Sequence, residues 1–174
     1  MLRNRSTLAA LAAVTLAGAG LCGAARPAPL PRGTQADLLI VHKSTRRLVV
    51  YSHGSVVRSY RIALGRDPVG RKWRAGDHRT PEGRYLIDQH NPDSEFHRSL
   101  HVSYPSAADS ARAAAAGYSP GGEIMIHGLR NGVGWLGRLH LAADWTDGCI
   151  AVNDAEMDEL YRVVPDGTPI VIRP

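Results

Sequence analysis

Thr146-Asp147-Gly148-Cys149-Ile150-Ala151-Val152 places a thiol between a glycine turn and an apolar run. The 174-residue chain has one other cysteine, Cys22, inside an N-terminal segment with the features of an export signal. Without that segment Cys149 has no disulfide partner, so it is either a small buried apolar group or a nucleophile. The Asp-Gly turn favours the nucleophile, because a turn presents a side chain where a substrate can reach it. Ile126-His127-Gly128 ends an earlier apolar run. If the two runs are neighbouring strands, an imidazole and a thiol meet at one sheet edge. A free thiol, with pKa about 8.5, is only slightly ionised at neutral pH, and a paired imidazole lowers that value. A lowered Cys149 pKa is therefore expected, with His127 as base. The amides of Gly148 and Cys149 are candidates for an oxyanion site.

Other residues can serve the same chemistry. His140 lies where it can assist Cys149 or bind substrate, or it is a solvated loop histidine. Trp135 and Trp145 line a cleft or simply pack. Thr146 and Asp147 flank the turn as substrate contacts. A carboxylate pointing at the sulfur would oppose thiolate formation, so Asp147 is expected to turn away, towards Arg138 or a backbone amide. The loop 65–83 is glycine-rich and basic, with Arg66, Arg71, Lys72, Arg74 and Arg79. A loop of that length usually has a task. Arg71, Lys72 and Arg74 are candidates to hold substrate carboxylates; the alternative is a solvated surface. His97 and His101 raise a zinc reading, but they flank an expected strand rather than sharing a helix face.

These residues need a scaffold. Short apolar and β-branched runs predict strands over 37–42, 47–51, 56–64, 84–88, 101–104, 123–126, 149–152 and 169–173. Ser44-Thr45 and His53-Gly54 supply turns for an opening meander. Ser106–Ala116 reads as an alanine-rich helix stopped by Gly117. Asn153 with Glu156 makes a capping-box pattern for a second helix, whose apolar face is Met157, Leu160, Tyr161 and Val164. The loop 129–147 is glycine-rich. The fold class is mainly β with two helices.

Arg3 and Arg5 precede an apolar run, Leu8 to Leu21, followed by Gly23, Ala24 and Ala25. This is the pattern of an export signal over 1–25, shorter than the roughly 20 apolar residues of a membrane span. Cys22 raises lipidation, although Leu21 stands where a small residue is required. A retained signal would be the one membrane link. Residues 26–36 form a proline-rich linker, and 37–174 one domain. Without Arg3 and Arg5, 19 Lys and Arg face 16 Asp and Glu. That mild positive charge suits an anionic envelope polymer. With scattered basic residues and one Phe, nucleic-acid binding has no support.

The ordered segments resemble the L,D-transpeptidase (YkuD-like) catalytic domain over roughly 37–174. They are Thr80-Pro81-Glu82-Gly83, Ile126-His127-Gly128, Thr146-Asp147-Gly148-Cys149-Ile150 and Val164-Pro165-Asp166-Gly167-Thr168-Pro169-Ile170. Asp147 replaces a second His of the common pattern, Ala151 replaces Arg or Asn, and the His-to-Cys interval is long. Asp144-Trp145-Thr146-Asp147-Gly148-Cys149-Ile150-Ala151-Val152 is similar to a separate branch of that family. The resemblance implies a β-sandwich-like catalytic domain located in the periplasm or cell envelope. It implies that Cys149 forms a thioester at diaminopimelate of a peptidoglycan stem peptide. His127 would act as base then acid, the Gly128 carbonyl would orient it, and Gly148 and Cys149 would hold the oxyanion. An amine acceptor gives 3-3 cross-links or attaches a protein. Water gives hydrolysis instead, and the branch implies release of a murein-linked peptide or lipoprotein as that alternative. A non-catalytic wall-binding domain, or a His/Cys zinc site, is the third. The catalytic reading implied by the resemblance needs no metal or organic cofactor.

Overall fold

The computed structural model describes residues 28–174; the expected export signal, Cys22 and the first two linker residues lie outside them. Strands β1 (Leu38–His42), β2 (Arg47–Ser52) and β3 (Ser55–Arg61) form the antiparallel meander. His53 and Gly54 both take positive φ, 50° and 72°, the conformation that lets a two-residue hairpin match strand twist. Leu48 and Val50 are fully buried while Arg47 is exposed, so side-chain alternation fixes the register. The remaining strands are β4 (Gly83–Asn91), β5 (Ser99–Val102), β6 (Met125–His127), β7 (Ile150–Ala151) and β8 (Pro169–Arg173).

The eight strands make one sheet in the order β3-β2-β1-β8-β4-β5-β6-β7. β1 and β8 run parallel, as do β6 and β7; the other pairs are antiparallel. Strand β4 is the corner. Its first half pairs with β8, its second half pairs with β5, and the β5 register slips between Ile87 and Gln89. A bulge bends a strand and increases its twist. The sheet therefore curls until its ends meet: Ala63 and Ala151 exchange two backbone hydrogen bonds, 3.0 and 2.8 Å. This explains why β3 stops at Arg61 rather than at Leu64. Residues 62–64 leave β2 and reach across to β7.

Helix α1 (Ala107–Ala115) starts at a complete capping box of Ser106 and Asp109, and α2 (Asp154–Val163) at one of Asn153 and Glu156. Each cap contributes about 1 kcal/mol. Met157, Leu160 and Val163 of α2 are fully buried in the core with Ile87, Leu100, Ile126 and Ile150. Each such side chain contributes roughly 1.5–3 kcal/mol by leaving water. The loop 129–147 holds an element that the sequence reading missed, a 3₁₀ segment at Gly134–Ala142 kinked at Gly137. Among the described residues, no helix is long and apolar enough to cross a membrane.

Candidate active site

The parallel pairing of β6 with β7 sets Ile126 beside Ile150 and His127 beside Ala151. Residues paired across a ladder share a face, and alternate residues return to it. Met125 and His127 therefore lie on the face from which Cys149 enters β7. His127 and Cys149 both line a cleft of about 680 Å³, together with Met125, Phe96, Trp145, Thr146 and Asp147.

The imidazole of His127 is 5% exposed. Its Nδ1 lies 2.7 Å from the Gly128 carbonyl oxygen. A carbonyl only accepts, so Nδ1 carries the proton and Nε2 is left as a free base. Phe96 lies 4.6 Å from the His127 ring centre, and Trp145 lies edge-on at 5.6 Å. Burial in this aromatic box lowers the His127 pKa to about 4, the Gly128 hydrogen bond opposes the shift, and His140 adds to it. Gly128 permits this packing: a Cβ there would sit 2.8 Å from Asp154 Oδ1 and 2.9 Å from His97 Cβ. Its own amide donates to Phe96 O at 3.1 Å, docking the 92–98 loop on the site.

The thiol is held by backbone. Cys149 Sγ donates to Glu123 O at 3.5 Å. Glu123 adopts φ +55°, an uncommon conformation outside glycine, to present that carbonyl. Burial pushes the Cys149 pKa up; the Met125 backbone hydrogen bond and Lys72 oppose this, and Asp147 and Glu123 reinforce it. The expected lowering is therefore corrected. Desolvation of the half-buried sulfur outweighs the available positive charge, and at rest both Cys149 and His127 are neutral.

The turn before Cys149 is built by Thr146, whose hydroxyl donates to Cys149 O at 2.8 Å and accepts from the Gly148 amide at 3.2 Å. The Gly148 amide is thereby committed to the turn, a correction to its expected place in the oxyanion site. What Gly148 supplies is conformation. It has φ +129°, and a Cβ would lie 2.7 Å from Arg79 O. Asp144, just before the turn, receives Arg46 at 2.7 Å and the Leu64 amide at 2.8 Å, fixing the segment to the sheet end.

Asp147 does turn aside, but to Arg66 and to His78 at 2.8 Å rather than to Arg138. The Arg66 hydrogen bond is the largest cause of its lowered pKa. Lys72, expected to grip a substrate carboxylate, is 4% exposed and donates to Asp77 at 2.7 Å and to Arg74 O at 3.1 Å. Arg74 lies 5.4 Å over the Tyr118 ring. Arg71, Lys72 and Arg74 do not line the cleft, nor does Trp135, which is 77% exposed on the 3₁₀ segment. His140 is buried behind the site, where Trp145 Nε1 donates to its Nδ1 at 3.5 Å. His97 and His101 pair with different carboxylates, Asp158 and Asp88. No cluster of three potential metal ligands occurs among the described residues.

The sequence reading missed Phe96, Glu123, Asp93, Glu95 and Arg130 at the cleft. Phe96 is the chain's one phenylalanine, placed in a polar loop where no core pattern calls for it. That was the available signal. The others are ordinary polar loop residues, and the side-by-side order of β4, β5, β6 and β7 brings them to one cleft.

The YkuD family, described as the L,D-transpeptidase catalytic domain, matches residues 36–172. YafK of Escherichia coli strain K12, which carries an L,D-transpeptidase name, is 28% identical over 130 residues, 71% of this chain and 45% of YafK. The chain thus spans about half the length of that curated relative. Among solved structures, the helical cell shape determining protein Pgp2 from Campylobacter jejuni aligns with TM-score 0.60 at 22% identity, covering 81% of this chain and 48% of Pgp2. An L,D-transpeptidase from Mycobacterium smegmatis aligns with TM-score 0.54 at 17% identity, covering 80% and 59%. These two likenesses concern the fold.

Proposed function

The chain belongs to the L,D-transpeptidase catalytic domain family, and on that premise we propose that it is a cysteine acyltransferase acting on peptidoglycan stem peptides in the cell envelope. One observation carries the reading: the Gly128 carbonyl fixes the His127 tautomer, leaving Nε2 unprotonated, and His127 lines the same cleft as Cys149.

The pair starts neutral. His127 Nε2 takes the thiol proton as Cys149 Sγ attacks the carbonyl carbon of the diaminopimelate residue. The Cys149 amide donates to the developing oxyanion. Collapse breaks the C–N bond, His127 returns the proton to the departing amine, and a thioester remains. An incoming amine, deprotonated by His127, then attacks the thioester and releases the thiol. Water in place of the amine gives the hydrolytic version with the same residues. Asp93, Glu95 and Glu123 in the cleft suit the ammonium form of an acceptor or leaving group. Because the resting thiol is neutral, proton transfer is coupled to attack rather than completed beforehand, and this favours general-base behaviour over a standing ion pair.

The test is mass spectrometry of purified muropeptides incubated with the protein. Dimers or exchanged terminal residues are expected for transfer, and trimmed stems for hydrolysis. Absence of every product, with Cys149 intact, or products that persist in Cys149→Ala, would overturn the proposal.

A further inference from the structure

A second cavity, of about 710 Å³, shares no lining residue with the catalytic cleft. It follows edge strand β3 where the curled sheet stays open beyond the Ala63–Ala151 junction, and α2 forms its other wall. Arginines dominate its polar lining: Arg47, Arg58, Arg61, Arg138 and Arg162.

The carboxylates of the same wall have partners of their own, and for Glu159 two of them, Arg58 and Tyr60, also line the groove. Glu159 accepts from Arg58, Tyr60 and the Leu30 amide, Asp158 from His97 and Arg98, and Glu156 from the Asn153 amide of its capping box. Arg162 donates to the Leu30 and Pro31 carbonyls. Among the described residues, no ion pair includes Arg47, Arg61 or Arg138. Arg47 and Arg61 are also direct register partners across β2 and β3. Directly opposed residues on one face have Cβ atoms about 5 Å apart, and like charges there oppose the pairing. Arg47 donates to the neutral Ser59 hydroxyl at 3.4 Å, which leaves its charge uncompensated there. An oxyanion between them turns the repulsion into two charge-assisted contacts, and the planar guanidinium fork matches a carboxylate.

We propose that this seam groove is an anion-binding exosite, in which Arg47, Arg61 and Arg138 hold the carboxylates of a second stem peptide on the polymer whose first stem occupies the cleft. The proposal rests on the peptidoglycan reading above. Two sites on one repeating polymer make the second contact intramolecular, so a weak exosite raises retention on the wall without altering the chemistry. Strand β3 is an edge of the sheet and presents main chain beside the arginines, which suits an extended peptide.

The experiment separates binding from turnover. The full chain carrying Cys149→Ala is pelleted with purified, protein-free sacculi, with and without Arg47→Gln/Arg61→Gln/Arg138→Gln. The triple substitution is expected to weaken pelleting at least about tenfold at low salt. In the chain with Cys149 intact, it is expected to leave turnover of a soluble monomeric muropeptide within twofold. Amidating the sacculus carboxylates is expected to release the parent protein, and stripping phosphate-bearing polymers from the sacculi is expected to change nothing. Equal pelleting of parent and variant, retention on amidated sacculi, or loss of binding on phosphate stripping would each overturn the exosite. A soluble-substrate defect as large as the pelleting defect would also overturn it. If no muropeptide is turned over at all, the acyltransferase reading fails, and the pelleting comparison still decides the groove.

Discussion

Two long glycine-rich loops flank Cys149, and they are built on opposite principles. The loop 65–83 is polar inside. Asp77 accepts from Lys72 Nζ, from the Trp73 and Arg74 amides and from the Arg79 amide. Lys43, 2% exposed, reaches out of the sheet to Thr80 O at 3.0 Å and Glu82 at 2.8 Å. The loop 129–147 is aromatic inside, with Trp145 against His127 and His140 behind it. The first loop uses its charges to hold itself in shape and lays its backbone against Gly148. The second keeps water from the base. A charged residue in a loop is thus no guide to a charged surface, since a buried cation needs its partner close by.

The largest effect should come from the reacting pair itself. His127→Ala is expected to lower kcat/KM for muropeptides about 10²–10⁴-fold, with Cys149→Ala lowering it at least as far. Thermal unfolding and circular dichroism should show both variants folded. Near-parental rates in a folded His127→Ala would move the base elsewhere, to His140 or His78.

Asp77→Ala tests the polar loop. It leaves Lys72 buried without its carboxylate, which should cost about 3 kcal/mol. The melting temperature should fall by roughly 6–12 °C, while kcat at a temperature where the variant is folded changes little. A large loss of kcat with an unchanged melting temperature would give the loop a catalytic task instead.

The aromatic loop predicts a pH signature. His127 has a folded pKa of about 4 against 6.5 for the free side chain. Its folded value is depressed, so protons bind the unfolded chain first. The stability due to neutral burial is complete above about pH 6.5 and is lost as the pH falls towards 4, on the order of 3 kcal/mol in all. Urea unfolding between pH 7 and 4 should show this slope, and a His127→Phe variant should lack that share of it. For activity, the base must be unprotonated, so the acid limb of kcat/KM should lie near pH 4. Trp145→Ala opens the ring to water and should move that limb up towards 6.5. A limb that stays near 4 would separate the aromatic box from the tuning of the base.

The smallest effect is expected from Arg71→Gln/Arg74→Gln. Neither side chain lines the cleft, and exposed charges act weakly at physiological salt, so KM should change less than twofold. A larger rise in KM, abolished at high salt, would return substrate binding to the 65–83 loop.

The elements were legible where their signals are local. The alternation of Leu48 and Val50, the two-residue turn at His53-Gly54 and the capping box of Asn153 and Glu156 act over a few residues, and the chain spells them out. So do the thiol after its glycine turn and the histidine before Gly128, because a strand end must deliver each. The 3₁₀ segment was not legible: Gly132, Gly134 and Gly137 mask a helical pattern. What the sequence by itself determined is therefore the inventory: strands, caps, a thiol after a glycine turn, a histidine at a strand end and a basic loop. The tertiary structure decided which charges were free, which amide was committed and which way each pKa moved. Those depend on burial and on partners such as Asp77 for Lys72, fixed by the fold of one loop, or Phe96 for His127, 31 positions away along the chain and made neighbours by the pairing of β5 with β6.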